Sequence, residues 1–237
     1  SALAAASLVL ECGVDAIVHF SCRDRNRIAL IADLLGVAAL GVTTVVLNRG
    51  EKFADSAVVR SKGVFEMTAA QLIDLAHKIG SENALVAKPG FNIGSSITVF
   101  KPPKDWDAIR VSEKTESGVK FLQTQPCLNA DLLREYMQKL VERKLTHRAS
   151  VMVEVPLLTS AKAARSLKAA YKGATIPGGM VGRITDSHDP VAEGITVCAE
   201  MMTEARNIPG ISGVNILHDG DPQNVAAAIR QSEPESS

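Results

Sequence analysis

The sequence predicts an α/β fold in which parallel strands alternate with helices and form a barrel. Short apolar runs alternate along the 237 residues with segments whose apolar residues recur at helical spacing. Such alternation implies parallel strands joined by right-handed crossovers. The run Val151–Val155 is apolar except for Glu154, as expected of a strand buried on both faces. No Gly-x-Gly-x-x-Gly fingerprint is present, which favours a barrel over a dinucleotide-binding sheet.

About six β/α units follow from this pattern. The predicted strands are short apolar runs, in chain order Ala16–Phe20, Thr43–Asn48, Ala84–Ala87, Val119–Gln123, Val151–Val155 and Gly213–Leu217. The predicted helices are Ala2–Cys12, Arg27–Leu40, Thr68–Ile79, Asp105–Ser117, Ala130–Arg143, Ser160–Ala170, Pro190–Arg206 and Pro222–Gln231. The segment Lys88–Gly94 contains Pro and Gly and is predicted to be a loop, and the Gly-rich segment Ile176–Gly182 a turn.

The domain predicted from these elements spans residues 1–231. It is of the TIM-type (β/α)8 barrel class, of which about six units are present, fewer than a closed eight-stranded barrel needs. Residues 232–237, rich in Ser, Glu and Pro, are predicted to be a disordered tail.

Composition excludes several classes of function. The formal net charge is +0, so there is no electrostatic footprint for nucleic acid or an anionic membrane. No apolar run approaches the roughly 20 residues of a membrane span. The 4 cysteines are scattered without a Cys-x-x-Cys pair, which argues against a disulfide framework or a zinc site and suits the cytoplasm. We therefore predict no metal site.

The segment from His19 to Leu30 is the strongest functional signal. It joins the first predicted strand to an amphipathic helix through a loop that carries three arginines, Asp24 and Asn26. In parallel α/β folds ligands bind at the carboxyl ends of the strands, where this loop lies. On the pattern alone, a solvated loop whose arginines cap nearby helices remains an equal alternative.

The amino-acid sequence of this segment favours a functional loop. It reads His-Phe-Ser-Cys-Arg-Asp-Arg-Asn-Arg-Ile-Ala-Leu, and is followed by Asp33-Leu34-Leu35-Gly36 and Ala39-Leu40-Gly41-Val42. This closely resembles the methylenetetrahydrofolate reductase family. The resemblance implies a TIM barrel that reduces 5,10-methylenetetrahydrofolate to 5-methyltetrahydrofolate, or the reverse, with FAD as cofactor and NAD(P)H as electron donor. It covers nearly all of this chain but about three-quarters of the family's barrel, so we expect the first strand, first helix and second strand to precede Ser1.

The end of the second strand is the first site that the resemblance implies. The family ends this strand with Arg-Gly-Asp or Thr-Gly-Asp, whose Asp lies beside the flavin, and here Asn48 is followed by Arg49, Gly50 and Glu51. Glycine before a carboxylate allows close approach to a ligand. A common turn is the alternative. By resemblance the cofactor-binding residues are His19, Asn48, Arg49, Gly50, Glu51, Ala69, Asp107 and Lys114.

The fourth predicted strand supplies the substrate contacts. Gln123 and Gln125 point the same way on a strand, and a glutamine amide offers donors and an acceptor to a pterin edge. The family's Thr-Gln at this position holds the folate pterin, so the resemblance implies that Gln125, with Gln123, binds substrate, and that Glu51 and Gln125 are the catalytic residues. We expect Arg49, Glu51 and Gln125 to face one shared hollow. Burial with backbone partners is the alternative for the glutamines.

Departures from the family pattern leave other functions open. Lys88, Asn92 and Arg110 stand where members often have Tyr, His and Asn, and Lys162 with Ser166 or Leu167 stand near a substrate-stacking position. The family's general-acid Glu has no counterpart in the chain. A flavin-independent NAD(P)H-dependent reductase, and a non-catalytic folate-binding or assembly subunit, are therefore the alternatives. In each case we expect a homo-oligomer or a subunit of a larger assembly, located in the cytoplasm.

Overall fold

The computed structural model describes residues 1–51, 63–81, 89–218 and 220–233. Two compact units make up the chain. The first comprises residues 1–96 and 112–121, and the second comprises residues 97–111 and 122–237. None of the described helices is both long and apolar enough to cross a membrane.

Parallel strands form the centre of the first unit. These are β1 (Ile17–Ser21), β2 (Thr44–Asn48) and β3 (Asn92–Ile97), with β2 between the other two. The helices that accompany them are α1 (Ala2–Glu11), α2 (Arg27–Ala39), α3 (Ala69–Ser81) and most of α4 (Ile109–Glu116), whose residues 109–111 belong to the second unit. Side chains that are fully buried in this unit include Phe20, Leu30, Leu34, Leu47 and Leu72.

The second unit repeats the arrangement. Its strands are β4 (Phe121–Thr124), β5 (Ser150–Pro156) and β6 (Ile211–Leu217), with β5 in the middle and parallel to β6. Its helices are α5 (Ala130–Glu142), α6 (Ala161–Ala170), α7 (Gly178–Thr185), α8 (Pro190–Arg206) and α9 (Pro222–Ser232), with a 3-10 turn at Leu145–His147. Val151, Val153 and Val155 of β5 are completely buried, as the apolar strand pattern predicts.

Side-chain caps fix where several helices begin. The Asn26 side chain accepts a hydrogen bond from the Ala29 amide at 2.8 Å, and Asn129 does the same for Leu132 at 3.0 Å. Each cap satisfies an N–H group that has no partner within its helix. The polar residue before each apolar helical run thus ends the preceding loop, which keeps the strand ends and their loops in fixed positions.

Several predicted boundaries differ from the structure. Residues 92–94, predicted to be a loop, lie in β3, and the predicted turn over 176–182 is largely the helix α7. The helix predicted from Asp105 begins at Ile109, because Ala108 has a φ of 56° that helical geometry excludes. Helix α9 continues through Ser232, one residue past the predicted domain boundary. The strand predicted at 84–87, Lys88 and residues 234–237 lie outside the described residues.

The glycines explain why two of these elements escaped prediction. Gly94 interrupts the apolar pattern of β3 because the ring of Phe121 occupies its side-chain space, and a Cβ there would lie 2.3 Å from the ring. In α7 the glycines occupy the first turn after Pro177, and no described atom lies within 4 Å of either added Cβ. The glycines at the start of α7 thus obscure the apolar residues that follow them in the helix.

Candidate functional site

The carboxyl ends of β1 and β2 lie side by side in the first unit. Ser21 is the strand partner of Asn48, and the Cys22 amide donates to the Asn48 carbonyl oxygen at 3.1 Å. Arg49, Gly50 and Glu51 follow directly. The predicted residues of these two strand ends therefore come together at one edge of the sheet, the edge where parallel α/β folds bind ligands. We refer to this edge as the β1–β2 edge.

Gly50 is required by the close approach of the two strand ends. Its φ is +83°, a conformation that side chains disfavour. A Cβ at this position would lie 2.9 Å from the Cβ atoms of both Ser21 and Arg23. The chain turns at Gly50 against the loop that leaves β1, and this turn sets the position of Glu51.

Arg23, in the loop after β1, holds this turn in place. The Arg23 guanidinium donates to the Glu51 carbonyl oxygen at 2.5 Å, and Arg25 forms an ion pair with Asp33 at 3.0 Å. The Arg49 guanidinium lies over the ring of Phe65, 5.2 Å from its centroid. The loop is therefore an ordered part of the β1–β2 edge, although two of its arginines have structural partners.

Backbone pairing orders the same loop from the other side. The Asp24 amide donates to the Val64 carbonyl oxygen at 2.8 Å, and the Val64 amide donates to Asp24 Oδ1 at 3.0 Å. Asp24 has a φ of 61°, which Asp tolerates better than most residues. This pair of hydrogen bonds keeps Arg23 directed toward Glu51.

Two titratable groups, His19 of β1 and Cys22 directly after it, have pKa values shifted toward their neutral forms. Solvent reaches the His19 side chain, yet the protein atoms around it desolvate the ring and lower its pKa. Burial raises the pKa of the Cys22 thiol, while its own backbone hydrogen bond and the charge of Arg49 act in the opposite direction. His19 is therefore a neutral hydrogen-bonding group near neutral pH, and Cys22 is a protonated, inert thiol.

Asn48 and Lys114 both contact Ser96. Asn48 Oδ1 accepts hydrogen bonds from the Ser96 amide at 2.9 Å and from its hydroxyl at 2.6 Å. Lys114 Nζ donates to the Ser96 carbonyl oxygen, and desolvation lowers the pKa of this half-buried amine. Lys114, predicted to be at the cofactor, thus reaches inward from α4 to the end of β3.

The last two predicted cofactor residues occupy different settings. Ala69 is the half-buried first residue of α3 in the first unit. Asp107 is exposed and belongs to the second unit, where its Oδ1 accepts from the Ile109 amide at 3.1 Å and so caps α4. An acidic side chain is favoured at this place because the start of a helix carries partial positive charge.

The second unit carries the predicted glutamines. The side chain of Gln123 is buried, and its Nε2 donates to Glu154 Oε2 at 2.6 Å. Asn215, the partner of Glu154 in the β5–β6 register, also hydrogen-bonds to this carboxyl group. We call Gln123, Glu154 and Asn215 the amide–carboxylate layer. It crosses β4, β5 and β6 in a single row.

Gln125 lies just after β4, two residues beyond Gln123. Its backbone N–H donates to the Ile97 carbonyl oxygen at 2.9 Å, and its side-chain Oε1 accepts from the Gly173 backbone N–H at 2.9 Å. A Cβ on Gly173 would lie 2.4 Å from this oxygen, so glycine permits the contact. The oxygen of Gln125 therefore has a backbone partner, as the alternative of burial with backbone partners expects.

Comparison with known proteins identifies the family. The family model described as methylenetetrahydrofolate reductase matches residues 1–218. The chain belongs to the methylenetetrahydrofolate reductase family. Membership confirms the resemblance of the His19–Leu30 segment and the predicted TIM-type α/β barrel class, and it supports an oxidoreductase of the methylenetetrahydrofolate reductase type.

The solved structures that match the chain are only distantly similar to it. Two solved structures of flavocytochrome b2 variants match 84% of this chain, at 13% and 15% identity and TM-scores of 0.41 and 0.39. A phospho-2-dehydro-3-deoxyheptonate aldolase from Thermotoga maritima matches 86% of it, at 10% identity and a TM-score of 0.34. The chain covers 52%, 51% and 59% of those three structures. No curated protein matches the sequence.

A cavity of about 230 Å³ lies beside the ends of β5 and β6 in this reductase-family chain. Its lining is mostly apolar and comprises Pro156, Leu157, Leu158, Ala163, Ser166, Leu167, Ala170, Tyr171, Leu217 and His218. The His218 ring contacts the Leu157 and Asp221 carbonyl oxygens at 3.3 and 3.2 Å. Ser166 and Leu167, which depart from the family pattern, thus line a space next to the strand ends.

Sequence reasoning missed Glu154, Asn215, Gly173 and His218 as site residues. Glu154 carried a signal, because a single charge within an otherwise apolar strand needs a buried partner. Asn215 and Gly173 carried none, since their roles depend on pairing between distant segments. Within the described ranges, no group of three His, Cys, Asp or Glu side chains could hold a metal ion.

That Arg49, Glu51 and Gln125 share one hollow stays a prediction. The first two residues belong to one unit and Gln125 to the other.

Proposed function

We propose that this protein reduces 5,10-methylenetetrahydrofolate to 5-methyltetrahydrofolate, or catalyses the reverse, with FAD as cofactor and NAD(P)H as electron donor. The observation that carries the proposal is the Arg49-Gly50-Glu51 turn at the β1–β2 edge, in a chain whose residues 1–218 match the reductase family. Bound flavin supplies hydride transfer. The side chains at the edge bind, orient and compensate charge.

The residues at the β1–β2 edge fit a flavin. Arg49 offers a guanidinium, Asn48 an amide nitrogen, and His19 a largely neutral ring at the same strand ends. Such groups suit the phosphate, the ribityl hydroxyls and the ring edge of the cofactor. Glu51 places a carboxylate beside them, and the turn at Gly50 fixes where that charge lies.

Glu51 and Gln125 are the proposed catalytic residues. Methylenetetrahydrofolate reacts through an iminium cation, and a fixed carboxylate lowers the free energy of that cation. Gln125, whose oxygen accepts from Gly173, is the proposed contact to the pterin edge. Both effects depend on groups that are positioned before substrate binds.

Flavin-independent reduction is a second candidate that two contacts favour. Lys114 is engaged by the Ser96 carbonyl oxygen, and Asp107 caps α4. Two of the residues expected at the flavin tail thus have structural partners. Folate reduction by NAD(P)H without saturable FAD binding would establish this candidate in place of the first.

Absorption spectroscopy and an oxidation assay test the proposal. We expect flavin bands in the purified protein and NAD(P)H oxidation that depends on methylenetetrahydrofolate. Glu51→Gln should lower kcat by about 100-fold, because it removes one charge that stabilises the transition state. Glu135→Gln, the same change on an exposed residue of α5, serves as the matched control and should leave kcat unchanged.

The possible outcomes separate the competing proposals. Folate binding without any oxidation would favour a non-catalytic folate-binding subunit. If the protein neither binds folate nor oxidises NAD(P)H in its presence, that result would overturn the proposed function.

A further inference from the structure

The amide–carboxylate layer contains a carboxyl group in an unusual position. Glu154 is 6% exposed, and among the described residues it is the one carboxylate that is buried. Its partner Gln123 is also 6% exposed. Burying a carboxyl group has a large free-energy cost unless hydrogen bonds compensate it, so the contacts of Glu154 carry the explanation.

Neutral amides supply those contacts. Gln123 Nε2 donates to Glu154 Oε2 at 2.6 Å from β4, and Asn215 hydrogen-bonds from β6. The Glu154 amide itself donates to Thr124 Oγ1 at 3.0 Å, which fixes the backbone of β5. Titratable groups described on the adjoining segments include Cys127, a protonated thiol whose backbone amide donates to the Glu154 carbonyl oxygen, and His218, which contacts backbone oxygens.

The chemistry of the carboxylate sets the orientation of both amides. An ionised carboxylate accepts hydrogen bonds and cannot donate one. Gln123 must therefore turn its nitrogen toward Glu154 and its carbonyl oxygen away. Gln123 precedes Gln125 by two residues, the spacing that puts side chains on the same side of an extended chain, so we place the Gln123 oxygen next to the proposed substrate contact.

We propose that Glu154 is a positioning residue that makes the site select a 4-oxo pterin over a 4-amino pterin. A 4-oxo pterin presents an N3–H donor, which the fixed carbonyl oxygen of Gln123 accepts. A 4-amino pterin presents an unprotonated N3 acceptor there, which faces the same oxygen without a proton between them. The inference rests on the proposed function, since it names the substrate class that the same site recognises.

Binding measurements with folic acid and its 4-amino analogue aminopterin test this inference. The wild-type protein should bind folic acid about tenfold more tightly, the effect of one matched hydrogen bond. Glu154→Gln places a third amide in the layer, and an amide can face Gln123 with either its oxygen or its nitrogen. Gln123 can then turn, and the ratio of the two Kd values should fall to about one. Glu135→Gln should keep the wild-type ratio.

The ratio distinguishes positioning from a merely structural role. A structural defect would weaken both ligands alike and leave the ratio unchanged, and that result in Glu154→Gln would overturn the inference. Gln123→Met, which removes the oriented amide and keeps an unbranched side chain, should also bring the ratio to about one and provides the test should Glu154→Gln not fold. Failure of the wild-type protein to bind either pterin would overturn the proposed function itself, a different outcome from an unchanged ratio.

Discussion

Replacing Gly50 with Ala should destabilise the β1–β2 edge more than any change at a comparable turn. Gly50 has a φ of +83°, and the added Cβ would lie 2.9 Å from the Cβ atoms of Ser21 and Arg23. Neither of those atoms is the end of a flexible side chain, so relief requires movement of backbone. The perturbation therefore combines a conformational cost with a steric one.

The structure allows both costs to be estimated. A left-handed conformation costs a non-glycine residue about 1–2 kcal/mol. Overpacking of a well-packed contact costs about 1–3 kcal/mol more. Gly50→Ala should thus lower the free energy of unfolding by about 2–5 kcal/mol, which for a chain of this size lowers Tm by roughly 4–20 °C.

Gly41→Ala isolates the conformational part. Gly41 has a φ of +86°, and no described atom lies within 4 Å of its added Cβ. The free energy of unfolding of the Gly41→Ala variant should be about 1–2 kcal/mol lower than that of the wild type. Urea denaturation of the two variants and the wild type measures the difference. Equal losses for Gly41→Ala and Gly50→Ala would refute the view that the two strand ends meet at Gly50.

Other changes test the remaining contacts. Gly194→Ala should lower the free energy of unfolding by about 3 kcal/mol or more, because its Cβ would lie 1.9 Å from the Leu158 carbonyl oxygen; a wild-type urea midpoint would contradict this. Burial raises the pKa of Glu154 above its ordinary value of 4.5, so the native state binds this proton more tightly than the unfolded state does. The wild type should therefore lose stability relative to Glu154→Gln as pH rises above 4.5. Free energies of unfolding, measured with urea, that change equally with pH in both proteins would contradict this. Lys114→Met removes a half-buried amine whose pKa desolvation lowers, and should change stability by less than about 1 kcal/mol while weakening FAD in a titration; unchanged FAD affinity would show that Lys114 serves Ser96 alone.

The elements that could be predicted are those whose pattern is local. The helix predicted over Arg27–Leu40 lies at Arg27–Ala39, and Pro190–Arg206 is found unchanged, because apolar periodicity and a capping residue lie within each segment. Strand β3 could not be placed, since Gly94 and its neighbouring serines lack an apolar run and pair through contacts with distant segments. The start of α4 depends on a single positive φ, which composition does not reveal.

In the candidate site, too, the residues that could be predicted are those that follow from a local pattern. His19, Asn48, Arg49, Gly50 and Glu51 could be grouped from sequence because they end two adjacent parallel strands, and the structure places those strand ends at one edge. Glu154 could be noticed as a buried charge, but its partners on β4 and β6 depend on register. A register is set by pairing between strands that lie far apart in sequence, so no local pattern specifies it.

A family resemblance transfers positions, whereas the contacts decide what each position does. Lys114 and Asp107 match cofactor residues, yet one donates to the Ser96 carbonyl oxygen and the other caps a helix. Removing either would also remove a structural hydrogen bond, so loss of activity there would not by itself identify a ligand contact. Glu51 follows a turn fixed by Gly50 and Arg23, and Glu51→Gln keeps the shape of its side chain while it removes the charge and turns one acceptor oxygen into a donor. For that reason Glu51→Gln discriminates between a catalytic and a structural carboxylate, and the assay of the proposed reaction depends on it.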